Sequence, residues 1–144
     1  AVSGNVSYDA DNHDYMVKLR QDKIDVIADF IPELEIYGNP KGELLVLSWG
    51  GTYGACRAAV EKAYANNISV AHVNLKYINP FPKNLAEILL KFNKVFIPEI
   101  NLGQLSTIIR SKFLIDTINL NRVSGKPYTT SDIYEKIEQI IEEN

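Results

Sequence analysis

Short, mainly hydrophobic runs alternate along the chain with stretches in which hydrophobic residues recur at helical spacing. A strand covered on both faces has the first pattern, whereas a helix packed on one side has the second. The runs therefore predict buried strands over residues 44–49, 70–75 and 95–97. The helical stretches predict helices over residues 55–66 and 84–92, from residue 104 onward, and from the region 129–131 to near the end of the sequence.

Two further segments have the pattern of sheet edges. Residues 118–123 alternate isoleucine and leucine with asparagine, which is typical of a strand half open to water. Residues 35–37 form a short candidate strand whose direction the sequence leaves open. Pro98 cannot donate to a ladder, so we expect strand pairing to stop there. Because helices separate the strands, the sequence predicts a three-layer α/β/α domain with a mostly parallel sheet over residues 34–144.

The first 33 residues have a different pattern. Residues 15–31 predict a helix capped by Asp11 or Asn12, with an apolar stripe about 140° wide. The stripe contains Met16, Leu19, Ile24, Ile27, Phe30 and Ile31. His13, Arg20 and Lys23 project onto the same side, where burial of an unpaired cation is costly. We expect residues 1–33 to be a linker and a connecting helix that follow a domain missing from this sequence.

Composition excludes several functional classes. The chain has 15 basic and 18 acidic side chains, a net charge of −3, and no basic stripe, which argues against binding to nucleic acid or to an anionic membrane. A single cysteine, Cys56, cannot hold an iron–sulfur cluster or a four-cysteine zinc site. No apolar run approaches the roughly 20 residues of a membrane span. We therefore expect a cytoplasmic protein without a metal of its own.

Candidate chemistry lies where the strands end, because ligands of parallel sheets bind at the carboxyl ends of the strands. The first such loop supplies Ser48, Gly50, Gly51, Thr52 and Gly54. Its backbone N–H groups could face a phosphate, but the dinucleotide-binding fingerprint is absent, and a plain tight turn is the alternative. Ser48 also lacks the sequence context of a nucleophile elbow.

The next loop is the most site-like in the chain, with Glu99, Asn101, Gly103 and Gln104. Its carboxylate and amides either contact a ligand or another domain, or simply cap the following helix. His72 and Cys56 have the positions of core residues, and no set of ligands has metal-binding spacing. We therefore predict no catalytic residue and no self-sufficient active site in this chain.

The order of these motifs resembles one enzyme family. The chain is similar to the carboxyl-terminal region of the alpha subunit of 2-oxoacid:ferredoxin oxidoreductases, and in particular to the 2-oxoglutarate branch. The likeness rests on Tyr8-Asp9, Asn12-His13, Met16, Arg20, Lys23-Ile24, Tyr37-Gly38, residues 48–54, Asn79-Pro80-Phe81-Pro82 and residues 99–105. Gly51 departs from the pattern, which has serine more often at this position.

The resemblance implies a fold like the carboxyl-terminal domain of transketolase, with five strands of which residues 35–37 form an antiparallel edge. It also implies that the whole enzyme decarboxylates a 2-oxoacid on thiamine diphosphate, passes electrons through iron–sulfur clusters to ferredoxin, and forms an acyl-coenzyme A. Those cofactors would lie outside this domain. Its partners would be the preceding domain of the alpha subunit and the beta subunit, with His13, Arg20 and Lys23 meeting carboxylates of a neighbouring domain.

Two other functions stay open at this stage. A free-standing, flavodoxin-like domain would bind a small molecule or phosphate through the loop at residues 50–54. An interaction module would bind no small ligand and would pair with another subunit through residues 99–104. Titration with small ligands would separate the two.

Overall fold

The computed structural model describes residues 4–143 and has at its centre a parallel four-stranded sheet in the order β2-β1-β3-β4. The strands are β1 (Gly42–Trp49), β2 (Val70–Leu75), β3 (Phe92–Glu99) and β4 (Ile118–Asn121). The helices are α1 (Ala10–Asp25), α2 (Tyr53–Ala65), α3 (Leu85–Leu89), α4 (Gln104–Phe113) and α5 (Thr130–Glu142), with single turns of 3₁₀ helix at Val26–Asp29 and Gly50–Thr52. The predicted α/β fold with a mostly parallel sheet is confirmed.

The described chain forms two compact units. The smaller consists of the residues up to Glu33 together with Tyr77–Lys83, and the larger consists of Leu34–Lys76 and the chain from Asn84 onward. The larger unit contains all four strands and α2 to α5. None of the helices within residues 4–143 is long and apolar enough to cross a bilayer.

The fifth strand expected at residues 35–37 is reduced to a single antiparallel bridge. Tyr37 and His72 exchange both of their backbone hydrogen bonds, each 2.9 Å long. The chain then turns away through Gly38, whose φ of 97° is open to glycine and strained for other residues. The direction of the edge is antiparallel, but the sheet has four strands because the pairing does not continue past this bridge.

Strand β3 is longer than the sequence predicts, and the expectation that pairing stops at Pro98 is wrong. Pairing with β1 ends at Phe96, whereas pairing with β4 continues through Pro98, which lies opposite Leu120. Proline is tolerated here because β1 and β3 no longer pair at this position, so β1 requires no N–H donor from Pro98. The early start of β3 at Phe92 also shortens α3. Asn84 stands at the N-cap of α3, but its side-chain amide bonds to the backbone of Leu34 and makes no cap hydrogen bond.

The core on one face of the sheet is made by α2 and α5. Helix α5 begins at a capping box, in which Thr129 Oγ1 accepts from the backbone of Asp132 and the Asp132 carboxylate accepts from the backbone of Thr129. Its predicted apolar face packs as expected, with Ile133, Ile137 and Ile140 buried and Ile141 partly buried against the same cluster.

Helix α1 differs most from its prediction. It begins earlier, because Asp9 Oδ1 accepts from the backbone of Asn12 at 2.7 Å and so takes the cap position expected of Asp11 or Asn12. It ends at Asp25, so the apolar stripe does not continue as one α-helix to Ile31. None of its residues is buried, and the stripe residues Met16 and Ile24 are only half-buried.

Candidate functional site

A pocket of about 230 Å³ opens at the carboxyl end of β1 in the larger unit. The predicted residues Gly50, Gly51, Thr52 and Asn101 line it, together with two that the sequence reasoning missed, Trp49 and Ile100. Trp49 ends β1 and Ile100 directly follows β3, and both side chains are large and apolar. A large apolar residue at a strand end is the sequence signal that could have identified them. Of the remaining predicted site residues, Ser48, Gly54, Glu99, Gly103 and Gln104 do not line the pocket.

The Glu99 carboxylate is fully buried at the end of β3 and faces the first turn of α4. One oxygen accepts from the backbone of Leu105 at 2.9 Å and from the Asn101 amide at 3.2 Å, and the other accepts from the backbone of Ser106 at 3.0 Å. Helix N-termini favour negative charge, and these N–H groups have no partner within the helix. Glu99 therefore caps the first turn of α4 from within the chain.

The neighbouring loop is fixed by the side chain of Asn101. Its Oδ1 accepts from the backbone N–H groups of Gly103 and Gln104 at 2.7 and 3.2 Å. Gly103 has a φ of 92°, a conformation that favours glycine and strains other residues. An added Cβ would lie 2.8 Å from the amide of the exposed Asn121 side chain, which would have to move. Both functional groups of the Asn101 amide are thus used within the chain.

Beneath α2, Ser48 and His72 form a buried polar pair. Ser48 Oγ donates to Asn74 Oδ1 at 2.9 Å, so His72 Nε2, 2.7 Å from the same oxygen, is the donor to Ser48. Burial, and secondarily the Arg57 charge, lowers the pKa of His72 to about 4, and the Tyr53 ring stacks on the imidazole. An imidazole that donates to a serine cannot take its proton, so this pair is structural, as predicted for His72.

In the 3₁₀ turn after β1, the hydroxyl of Thr52 is used within the chain. Thr52 Oγ1 donates to the Trp49 carbonyl at 2.9 Å and accepts from the Trp49 N–H at 3.3 Å. None of the six residues that line the pocket is charged. A diphosphate needs cationic or metal partners in addition to backbone N–H groups, so the pocket fits an apolar group better than a phosphate.

Cys56 lies in the first turns of α2 and is completely buried. Burial raises the pKa of its thiol to about 12, and a hydrogen bond with Thr52 only partly offsets that effect. A thiol with so high a pKa is neither a nucleophile nor a metal ligand at neutral pH. The sequence has no second cysteine, and within residues 4–143 no three metal-binding side chains cluster, so the residues present do not fit an iron–sulfur cluster.

Exposed apolar side chains belong to the same strand-end segments as the residues that line the pocket. Tyr53 at the start of α2 and Ile100 and Leu102 after β3 are all exposed, Leu102 to 77%. Scattered exposed apolar residues are normal, but these belong to the loops at one edge of the sheet. This edge therefore combines an uncharged pocket with an apolar rim.

The three basic residues singled out in the first helix are all solvent-exposed on α1. In the part of the chain that the structure describes, neither Arg20 nor Lys23 has an ion-pair partner, whereas Lys18 pairs with Asp14 at 2.6 Å. The neighbouring carboxylates expected for Arg20 and Lys23 are thus not supplied by residues 4–143. Their role as contacts to another domain stays a prediction.

Comparison with solved structures supports the fold and its family. A 2-oxoglutarate:ferredoxin oxidoreductase from Magnetococcus marinus, solved with 2-oxoglutarate, coenzyme A and succinyl-CoA bound, superposes with a TM-score of 0.89 at 28% identity, over 96% of this chain and 25% of that one. A split-gene transketolase, an inactive β4 tetramer, superposes with a TM-score of 0.56 at 16% identity over 76% of this chain and 41% of that one, a likeness in fold alone.

Sequence relatives agree with this result. The chain is 44% identical to the 2-oxoglutarate oxidoreductase subunit KorA of Mycobacterium tuberculosis, over 91% of this chain and 20% of that protein. It is 27% identical to the alpha subunit of 2-oxoacid:ferredoxin oxidoreductase 1 of Sulfurisphaera tokodaii, over 97% of this chain and 23% of that protein. The chain thus spans about a fifth of the length of these relatives. Because the family model described as pyruvate:ferredoxin oxidoreductase core domain II matches residues 42–133, the chain belongs to that family.

Proposed function

We propose that this chain is the carboxyl-terminal domain of the alpha subunit of a thiamine-dependent 2-oxoglutarate:ferredoxin oxidoreductase, and that it supports assembly of the enzyme without catalysing a step itself. The choice of 2-oxoglutarate follows from the 44% identity with KorA and from the superposition on the Magnetococcus marinus enzyme. The whole enzyme would oxidise the 2-oxoacid, reduce ferredoxin and release an acyl-coenzyme A. The beta subunit and the rest of the alpha subunit would be its direct partners.

The observation that supports the assembly role is that polar side chains at the carboxyl edge of the sheet are already hydrogen-bonded within the chain. The side chains of Glu99, Asn101 and Thr52 form hydrogen bonds with nearby backbone groups, and the Asn101 amide also donates to the Glu99 carboxylate. What this edge presents outward is the apolar rim and the uncharged pocket. A surface of that kind suits contact with another protein surface better than recognition of a charged substrate.

The cofactors of such an enzyme would therefore be held elsewhere. Thiamine diphosphate supplies an electron sink for decarboxylation, and its diphosphate requires a divalent cation or cationic side chains. Neither the pocket lining nor the Ser48–His72 pair offers those groups. The chain's contribution would be to hold neighbouring parts of the enzyme in position.

The first experiment tests the identity of the parent protein. An antibody raised against this domain captures the native protein from source cells, and the captured material is assayed for polypeptide masses, thiamine diphosphate and iron. We expect a longer chain that contains this sequence, a second subunit and both cofactors. A lone polypeptide near 16.2 kDa without either cofactor would overturn the proposal and favour a free-standing, flavodoxin-like binder.

A second experiment tests the apolar edge in the full-length subunit. Leu102→Asp introduces a charge beyond the carboxyl end of β3, and Leu90→Asp is a matched control just before the amino end of the same strand. Both leucines are 77% exposed, so both variants should fold. We expect Leu102→Asp to lower the yield of assembled enzyme and Leu90→Asp to leave it unchanged. Equal yields for the two variants would rule out a role of this edge in assembly.

A further inference from the structure

Charges on α1 are segregated onto opposite sides of the helix. At 100° per residue, His13, Met16, Arg20, Lys23 and Ile24 fall within an arc of about 100°. We call this set the cationic face. The acidic side chains occupy an arc of about 80° on the other side and comprise Asp11, Asp14, Asp22 and Asp25. Lys18 lies among these carboxylates and pairs with Asp14.

The cationic face has the composition of a contact surface. Met16 and Ile24 are half-buried, and the basic side chains beside them are exposed. Among residues 4–143, Arg20 and Lys23 have no carboxylate partner, although the helix itself holds several carboxylates on its far side. Cations that flank apolar side chains and have no partner of their own complement a surface with an apolar centre and carboxylates around it.

From this arrangement we infer that the cationic face of α1 docks on a carboxylate-bearing surface in the rest of the alpha subunit. The inference rests on the proposed function, because it is the comparison with full-length relatives that places about four-fifths of such a subunit outside this sequence. A polyanion such as nucleic acid is a poorer occupant, since the same short helix carries an acidic face and the chain has a net charge of −3. Arg20 and Lys23 would each form an ion pair in the assembled enzyme, with the apolar side chains between them.

Carbodiimide cross-linking of the purified holoenzyme tests the contact directly, because this reagent joins a lysine amine only to a carboxylate in direct contact. Peptide mapping should show Lys23 joined to an aspartate or glutamate of the alpha subunit outside these 144 residues. Lys18 is the internal control, since its carboxylate partner Asp14 lies 2.6 Å away in the same helix. Absence of a Lys23 cross-link, or a link to another subunit, would overturn the inference.

Removal of single charges in the full-length subunit gives a second measurement. Arg20→Gln and Lys18→Gln each remove one positive charge, on opposite sides of α1. We expect amide hydrogen exchange in α1 to accelerate by about tenfold in Arg20→Gln, because a carboxylate of the docked surface loses its partner, and by less than about twofold in Lys18→Gln, which loses only an exposed pair with Asp14. Equal effects of the two substitutions would count against a docked cationic face.

Thiamine diphosphate and iron are assayed in the same preparations, so that the two hypotheses can fail separately. A preparation that holds both cofactors but shows no Lys23 cross-link contradicts the docking surface alone. A preparation without either cofactor contradicts the proposed function and, with it, the partner named here. If Arg20→Gln prevents assembly, the cross-link in the wild-type enzyme still decides the question.

Discussion

His72 Nε2 lies 2.7 Å from Ser48 Oγ in the buried layer between the sheet and α2, with the imidazole as the donor. The two side chains come from neighbouring strands, β2 and β1, and both are almost completely shielded from water. A charged imidazole would lose more hydration here than this hydroxyl can restore, which is why the pKa of His72 falls to about 4. A Ser–His distance that suits a nucleophile is thus used as a neutral structural hydrogen bond.

The low pKa of His72 predicts that the domain loses stability in mild acid. As pH falls below about 6.5, His72 becomes protonated in the unfolded chain, whereas in the folded chain it stays neutral down to about pH 4. Protonation therefore favours the unfolded state, and the free energy of unfolding falls as pH falls from about 6.5 to about 4. Between pH 7 and pH 5 the loss from this residue should be about 2 kcal/mol. Urea unfolding of the 144-residue chain at the two pH values measures it.

The only other histidine, His13, supplies the control. It is exposed on α1, so His13→Gln should keep the pH dependence, whereas His72→Gln should remove most of it. A pH dependence that survives in His72→Gln would assign the effect to other groups.

The cap of α4 predicts a large effect from a small change at Glu99. Glu99→Gln keeps the shape of the side chain but replaces one acceptor oxygen with a donor, so one of the N–H groups of Leu105 and Ser106 faces another donor. A buried donor left without a partner costs about 1–3 kcal/mol, and we expect the free energy of unfolding to fall by about that amount. Urea unfolding at neutral pH measures the change.

Glu61→Gln is the matched control for this substitution. Glu61 is exposed and, among residues 4–143, its ion-pair partner is Arg57 one turn away in α2, an interaction of the kind that contributes about 0.5 kcal/mol or less. Similar losses for the two variants would mean that the buried carboxylate is no more important than a surface one.

The elements that the sequence predicts well are those whose burial follows from local pattern. Strand β1 contains a continuous apolar run at residues 44–47 and β2 is mainly apolar, because both faces of each strand are covered. The apolar positions of α5 repeat at helical spacing because a single side of that helix packs on the core. The end of β3 could not be read in the same way. Pro98 would interrupt the strand only if a neighbouring strand required its missing N–H as a hydrogen-bond donor. The register of β3 with β1 and β4 decides this, and the sequence does not reveal that register.

The candidate site was predicted only in part for a similar reason. The sequence places Glu99 and Asn101 in one strand-end loop, but it cannot tell an outward-facing carboxylate from one that turns back onto its own helix. Trp49 and Ile100 looked like ordinary ends of apolar runs, and only the folded sheet shows that they share a pocket. The apolar stripe of α1 shows the same limit, because an amphipathic pattern predicts a face to be covered without naming what covers it.

Adjacent glycines in the loop after β1 should respond differently to the same substitution. Gly50 has a φ of 56°, a left-handed conformation, so Gly50→Ala should lower the free energy of unfolding by about 1–2 kcal/mol. Gly51 has an ordinary φ, and an added Cβ would lie 3.5 Å from Ile100 Cδ1, a normal contact distance. Gly51→Ala should therefore change stability by less than about 0.5 kcal/mol, as measured by thermal or urea unfolding. A larger loss at Gly51 than at Gly50 would contradict the backbone assignment of this loop.

Cys56 should be unreactive in the folded chain. Its thiol is buried beneath the first turns of α2, and a pKa of about 12 leaves almost no thiolate at pH 8, which is the reactive form. We expect a disulfide reagent such as Ellman's reagent to label the native chain only at the rate at which it opens, and to label it quickly in denaturing urea. Cys56→Ser should lose labelling in both conditions, and it should also be less stable because a hydroxyl replaces a buried thiol in an apolar cluster. Rapid labelling of the native wild-type chain would mean that the first turns of α2 are open, and the polar pair beneath that helix, Ser48 and His72, would then be accessible to water as well.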